Sequence, residues 1–346
     1  MRSEVERFLA VPRVVGSNPH RSQAAEMALL AGTHPLNASV RIVPHVVGGQ
    51  TPVGRCALAL PVDGPDDTSV RGVGLGFFEC VDDQDSADEL FAWARSVARD
   101  HGFAELIGPV DASFWLRYRM KLDHFEDTYV SEPTNPSYYP RLWENAGFAL
   151  AQRYSTAYYE VPRAHDAVPR YDARRAAALA DGARVESLAL SRWDEVVTAV
   201  HRLTMDLYAP LPLFHPLSLA QFTAIFSPLR RVVDPELVTL VYRGDALIAY
   251  SLVVPDYGDL LDRRLTPTTL VRLQRMRRHP ARIVSLYMGG AEPRLGSVMS
   301  ARIIDLARAR GQQVIGSLMI EGGVSERLAA DHVVQRRHYG LWRLPL

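Results

Sequence analysis

The residues most suited to chemistry lie at 287–298. An apolar stretch ends in Tyr287-Met288-Gly289-Gly290, and Arg294-Leu295-Gly296-Ser297-Val298 opens a helical pattern just beyond it. Glycine lets a backbone approach a ligand closely. A helix start presents amides without intrahelical acceptors at the positive end of the helix dipole. Together these features suit a phosphate, although an ordinary helix start with Ser297 near the cap fits the same letters. A second run before a helix, residues 79–86, carries Glu79, Asp82, Asp83 and Asp85 and no base. Those carboxylates would satisfy the dipole themselves and repel a phosphate.

Other polar clusters are less directed. Residues 263–282 hold Arg263, Arg264, Arg272, Arg275, Arg277, Arg278 and Arg282 with no acid, which reads as a solvated helix face, a seat for phosphates or a contact to nucleic acid. Lys121 is the only lysine, so any phosphate contact would fall to arginine forks or backbone amides. Tyr138 and Tyr139 can line a pocket or pack in a core. Tyr208 and His215 belong to a Pro-rich loop region. No HExxH, P-loop or GxSxG pattern is present, so metal hydrolysis, nucleotide hydrolysis and serine-hydrolase chemistry have no support, and no metal is expected. Cys56 and Cys80 sit in apolar runs without ligand spacing and read as small buried hydrophobes.

The elements that must position these residues repeat. In 346 residues, 47% hydrophobic and 23% charged, two domains fit. Formal charge is zero, 39 basic against 39 acidic residues, and gives no global pull toward nucleic acid or membrane. No apolar run reaches the roughly 18 residues of a membrane span, and the first twenty residues do not read as a signal peptide. A cytoplasmic protein is expected. Residues 52–62 and 70–81 form β-rich runs around the turn letters DGPDDTS, and the helix after them has Ser86 as its cap. A short strand at 104–110, a helix ending at Gly147 and a strand at 149–161 follow. Residues 162–184 lose apolar periodicity. The second half then gives two helices, a hairpin on Gly244-Asp245, a basic helix, a strand, the helix after Gly296, another strand, a short helix and a final strand. Each half reads hairpin, helix, strand, helix, strand, an α/β order.

On those segments the sequence resembles tandem Gcn5-related N-acetyltransferase (GNAT) proteins. The residues that carry the resemblance are GFFE (76–79), LIGPVD (106–111), NPSYYPRLWENAGFA (135–149), 233–256 and RIVSLYMGGAEPRLGS (282–297). The resemblance implies two tandem α/β modules, each a mixed, largely antiparallel sheet flanked by helices: 1–162, a linker at 163–185, and 186–346. It implies an acyltransferase moving an acyl group from acetyl-CoA or another acyl-CoA to a small-molecule amine. Met288, Gly289, Gly290, Arg294, Leu295, Gly296, Ser297 and Val298 would hold the donor, although the spacing from Arg294 to Gly296 is one residue shorter than the family's pattern. The acidic turn of the first half would not bind coenzyme A. Tyr287 and Glu321, the latter as base, are the candidate catalytic residues. Asn135, Tyr138, Tyr139, Tyr208 and His215 are candidates for the acceptor side, with Trp143 standing where the family often has an acidic Tyr. Two rivals follow: an aminoacyl-tRNA-dependent amide-forming transferase using the Arg263–Arg282 surface, and a non-catalytic binding protein.

Overall fold

The computed structural model describes residues 3–16, 23–62, 72–163, 169–211, 213–263 and 266–346. Two helices, α1 (Glu4–Val15) and α2 (Ala24–Leu30), precede the meander β1 (Val40–Val47), β2 (Gly54–Pro61) and β3 (Gly72–Cys80). The DGPDDTS turn lies outside the described residues. Then come α3 (Gln84–Asp100), β4 (Glu105–Gly108), the two-residue β5 (Met120–Lys121), α4 (Tyr139–Asn145) and β6 (Ala149–Tyr159). The second half runs α5 (Pro169–Ala180), β7 (Ala183–Ser187), α6 (Trp193–Tyr208), α7 (Leu219–Phe226), β8 (Val238–Arg243), β9 (Ala246–Pro255), α8 (Pro267–Arg278), β10 (Arg282–Gly290), α9 (Leu295–Arg310), β11 (Gln313–Ile320) and β12 (Val333–Pro345).

The strands join one mixed sheet in the order β1-β2-β3-β4-β12-β6-β11-β10-β9-β8-β7, with β5 beside β12. Its centre is an exchange. The last strand of the first half, β6, pairs with β11 of the second, and the last strand of the second half, β12, pairs with β4 of the first. The two exchanged strands also pair with each other, from Val333↔Tyr159 to Arg343↔Ala149. Among the described strands only β3–β4 and β10–β11 run parallel. Each parallel pair is bridged by a helix, α3 or α9. The stretch 163–185 holds α5, whose Tyr171 is buried, and the start of β7, which pairs with β8 at the sheet edge; its residues 164–168 lie outside the described residues. β1 gave no clear sequence signal because His45 and Pro44 interrupt its apolar run.

Side chains of α3 explain the first core. Ala87, Leu90, Phe91, Ala94 and Ala98 face inward and pack with Trp143, Phe148, Phe78 and Trp342. The cap of α3 is Asp83 rather than Ser86: its carboxylate accepts from the Ser86 amide at 2.9 Å and from the Ser86 hydroxyl at 2.6 Å. The helix starts three residues earlier than the Ser86 signal, because the Asp83 carboxylate gives the Ser86 amide a charged acceptor. In the second half α6 packs on one sheet face against Leu240, Tyr242 and Tyr250, and α9 packs on the other against Val241, Ala249 and Met288.

Cys56 and Cys80 are both buried and unbonded. Burial pushes both thiols up, Cys80 to about 12 with help from Asp83 and Asp82. Thiolate is the reactive form. A disulfide-exchange reagent at pH 8 is therefore expected to label neither cysteine in the native protein and both after denaturation; prompt labelling of the folded protein contradicts the packing.

Candidate active site

The parallel pair β10–β11 opens part-way along. Its ladder holds from Arg282↔Gln313 to Ser285↔Gly316 and stops. Beyond it β10 stays with β9, to Gly290↔Ala249, while β11 stays with β6, to Ile320↔Tyr154. Irregularities in both strands produce the divergence. In β10 the register with β9 skips Leu286, a bulge that turns Tyr287 onto the α6 face. In β11 it skips Ser317 and Leu318, and Leu318 takes φ 53° with its amide on the Thr156 hydroxyl. Ser317 Oγ donates to the Ser285 carbonyl at 2.8 Å, closing the root of the V.

A cavity of about 890 Å³ occupies this gap and reaches both faces of the sheet. On one side it meets Ser300, Ile303 and Ile304 of α9; on the other, Phe114, Trp115, Tyr118, Tyr154, Tyr208 and Phe226. Tyr287, Met288, Gly289 and Gly290 form its wall. A Cβ on Gly290 would stand 2.9 Å from Leu295 Cβ, so glycine is what allows the helix start to come against the strand end. Helix α9 begins beside the cavity rather than in its wall. Its N-cap residue, Arg294, is left-handed (φ 76°) and makes no side-chain cap. The guanidinium of Arg174, from α5, donates to Ser297 Oγ at 2.7 Å, and the Arg294 side chain is exposed. Two arginines thus stand at an uncapped, electropositive helix start, which suits a phosphate.

Tyr287 is half-buried on the cavity wall, edge-on to Phe226 at 5.9 Å. Burial raises its hydroxyl to about 12, with Tyr250 adding and Arg119 opposing. Tyr208 is also raised, by burial first and by Tyr250 second. Both phenols remain protonated at neutral pH and are donors, not bases.

The corresponding gap in the first half is shut. The β3–β4 ladder ends at Gly74↔Ile107, but Val110 N then donates to the Leu75 carbonyl at 2.9 Å. A Cβ on Gly76 would lie 2.0 Å from Val110 O, so backbone meets backbone there. The Phe77 amide, at a residue with φ 52°, donates to Asp111 Oδ1 at 2.5 Å. With Asp83 capping α3, neither the strand nor the helix start has room or charge for an anion.

Several residues singled out in the sequence stand elsewhere. Tyr139 accepts from the Cys80 amide at 3.0 Å and donates to Glu79 at 2.8 Å; Tyr138 donates to the Cys80 carbonyl. Asn135 bonds both backbone groups of Lys121. All three hold the first half together, outside the cavity wall, and Trp143 is core. Glu321 is exposed and paired with Arg153 at 2.8 Å, also outside that wall. His215 contributes its carbonyl, which accepts from Trp115 Nε1 at 2.7 Å and holds the Pro-rich loop over the aromatic side of the cavity; its residue 212 lies outside the described residues. Of the arginine run, Arg263 pairs with Asp259 and Arg282 with Asp256, leaving Arg272, Arg275 and Arg278 exposed on α8; Arg264 lies outside the described residues. Sequence reasoning missed Arg119, Tyr118, Tyr154 and Arg174. The first three come from the half without an open gap, and Arg174 from the stretch read as a linker, so no local pattern linked them to the site.

No family model matches the sequence, and no curated protein is similar to it. Solved structures are. A tandem GNAT protein from the clavulanic acid biosynthesis pathway, solved without acetyl-CoA, superposes with a TM-score of 0.52 at 14% identity, over 99% of this chain and 94% of that one. A GCN5-related N-acetyltransferase from Anabaena variabilis gives 0.50 at 11%, over 97% and 70%. A conserved protein of unknown function from Enterococcus faecalis, titled a probable N-acyltransferase, gives 0.52 at 7%, over 99% and 70%. The chain has the GCN5-related N-acetyltransferase fold. At these identities the likeness speaks for the fold alone. Within the GNAT fold, the open strand pair and the helix start beside it belong to the second half. Among the described residues no group of three or more metal-binding side chains exists, and no helix is long and apolar enough to cross a membrane.

Proposed function

We propose that the protein is an acyltransferase that moves an acyl group, acetyl or longer, from a coenzyme A thioester to a small-molecule amine, with the donor in the second half. The observation that carries this reading is the gap between β10 and β11 above Ser285 and Gly316, opening beside the uncapped start of α9. In this reading the donor's pyrophosphate lies on the amides of Arg294 and Gly296, near the side chains of Arg174 and Arg294, because the amides of Leu295, Ser297 and Val298 already donate to backbone carbonyls. Its pantetheine arm follows the gap, and the thioester reaches Tyr287. The amine comes from the aromatic side, past Tyr208.

The chemistry is an addition followed by an elimination. The neutral amine attacks the thioester carbonyl, the C–N bond forms, and the nitrogen gives up a proton to water. The C–S bond then breaks, and Tyr287 donates its proton to the leaving sulfur. A phenol held near 12 is well protonated for that role. The non-catalytic alternative has less support, because the second gap is open and lined by such a donor while the first is filled. The aminoacyl-tRNA alternative relies on Arg272, Arg275 and Arg278, since Arg263 and Arg282 already have carboxylates.

Gly296→Glu tests the donor site without disturbing the fold. A Cβ there meets only Leu328 Cδ1, at 3.8 Å, and a carboxylate in a first helical turn is favourable to the helix. Calorimetric titration is expected to give about 10–100-fold weaker coenzyme A binding in this variant, with melting temperature unchanged or slightly raised. Equal affinity for variant and wild type would place the donor elsewhere. Binding of tRNA with steep salt dependence, and none of coenzyme A, would favour the other donor.

A further inference from the structure

Arg119 stands in the cavity wall without a carboxylate partner among the described residues. Its guanidinium lies in the corner of two mutually perpendicular aromatic rings, 3.7 Å from the centroid of Tyr118 and 4.2 Å from that of Tyr154. Nη1 donates to the Leu318 carbonyl at 3.2 Å, and Nε is buried with no hydrogen-bond partner. Among the described residues no carboxylate comes within ion-pair distance of it. Of the acids on the cavity wall, Glu132 is bound by Arg337, Lys121 and Tyr339, and Glu160 and Asp262 form no ion pair with Arg119. Burial lowers Arg119 to about 10 against the opposing influence of Tyr154, so the group remains a cation at neutral pH.

A guanidinium costs free energy to bury without a partner. The two rings hold the guanidinium in place, and the residue lines the cavity with hydrogen-bond donors to spare, a fork that suits a carboxylate. Around it the wall is apolar and aromatic: Phe114, Trp115, Tyr208 and Phe226. Across the gap lies Tyr287. Arg119 lies with the aromatic groups, whereas the start of α9 serves the other face. Its anion is therefore a different one from the donor's phosphates.

Resting on the acyl-transfer reading, we propose that Arg119 is the carboxylate-binding residue for the acceptor, and that the acceptor is an amino acid or similar amine carrying an apolar or aromatic side chain. The carboxylate pairs with Arg119, the side chain lies among the aromatic residues, and the amine is left facing the thioester beside Tyr287.

The test uses 3-phenylpropanoate and its neutral amide, 3-phenylpropanamide, titrated calorimetrically onto the full chain with and without coenzyme A. The wild type is expected to bind the acid at least about tenfold more tightly than the amide, the scale of one charge-assisted pair. Arg119→Met should abolish that preference while coenzyme A still binds, and Arg119→Lys should retain part of it. Equal affinities for acid and amide in the wild type, no binding of either, or a preference that survives Arg119→Met would overturn the inference. Loss of coenzyme A binding to the wild type with the carboxylate preference intact would count against the donor reading instead. Should Arg119→Met fail to fold, the wild-type comparison and Arg119→Lys still decide.

Discussion

Tyr287→Phe is expected to lower kcat by about 10²–10³, the usual contribution of a positioned proton donor, while the KM for the acyl-coenzyme A donor changes little. The reason is local. Tyr287 follows the β10 bulge, which turns its ring onto the cavity side, and its ring packs edge-on to Phe226. Phe keeps that packing and removes only the hydroxyl. A loss confined to kcat and kcat/KM together identifies an interaction made in the transition state. Thiol release from acetyl-coenzyme A, followed with an acceptor the wild type uses, measures it. The pH profile gives a second reading. Since the phenol titrates at about 12, it loses no proton through pH 9, and the wild-type rate should climb with pH as the amine is freed, without a falling limb from this group. A variant with unchanged kcat would remove Tyr287 from the chemistry.

The largest stability effect is expected at Glu132. This carboxylate lies in the loop before α4, 5% exposed, and accepts from Arg337 Nη1 at 2.9 Å, Lys121 Nζ at 3.2 Å and the Tyr339 hydroxyl at 2.5 Å. Arg337 and Tyr339 belong to β12 and Lys121 to β5, so one acid ties the exchanged strand to the first half. Glu132→Gln preserves shape and removes the charge. Arg337 then keeps only Asp127, and Lys121, which burial already pushes down, keeps the Asp127 carbonyl. Stranding buried cations costs about 3–5 kcal/mol, on the order of 10 °C in melting temperature for a chain of this size. Arg141→Ala breaks only the exposed pair with Asp82 and should cost under about 1 kcal/mol. Equal effects from the two substitutions would refute the network's role.

The sequence made the alternation of strands and helices legible, because the periodicities of β8, β9, α6 and α9 are local properties. It also exposed the contrast between the two helix starts, since Asp83 and Gly296 sit within a few residues of the elements they control. The exchange of β6 and β12 was beyond its reach. Either strand satisfies its alternation equally well beside any partner, and only the three-dimensional arrangement brings Arg337 to Glu132. The same holds for the cavity. Tyr287 lies on a strand whose pattern was readable, and Tyr208 closes helix α6 rather than belonging to the Pro-rich loop that follows it, whereas Arg119 follows a short bridge between Val110 and Tyr118 with φ 81° and has no periodic neighbour. Tyr138 and Tyr139 stood out as paired rings, but their hydroxyls serve backbone and acid groups at the end of β3, a role that spacing alone does not distinguish from substrate stacking.

The central claim is that the second half holds a coenzyme A thioester through the opened strand pair. A crystal structure of the complex with coenzyme A tests it most directly. The account predicts pyrophosphate density at the amides of Arg294 and Gly296, with the thiol arm between Gly290 and Gly316 and the sulfur facing Tyr287. Density at the start of α3 beside Asp83, or coenzyme A bound away from the β10–β11 gap, would contradict it.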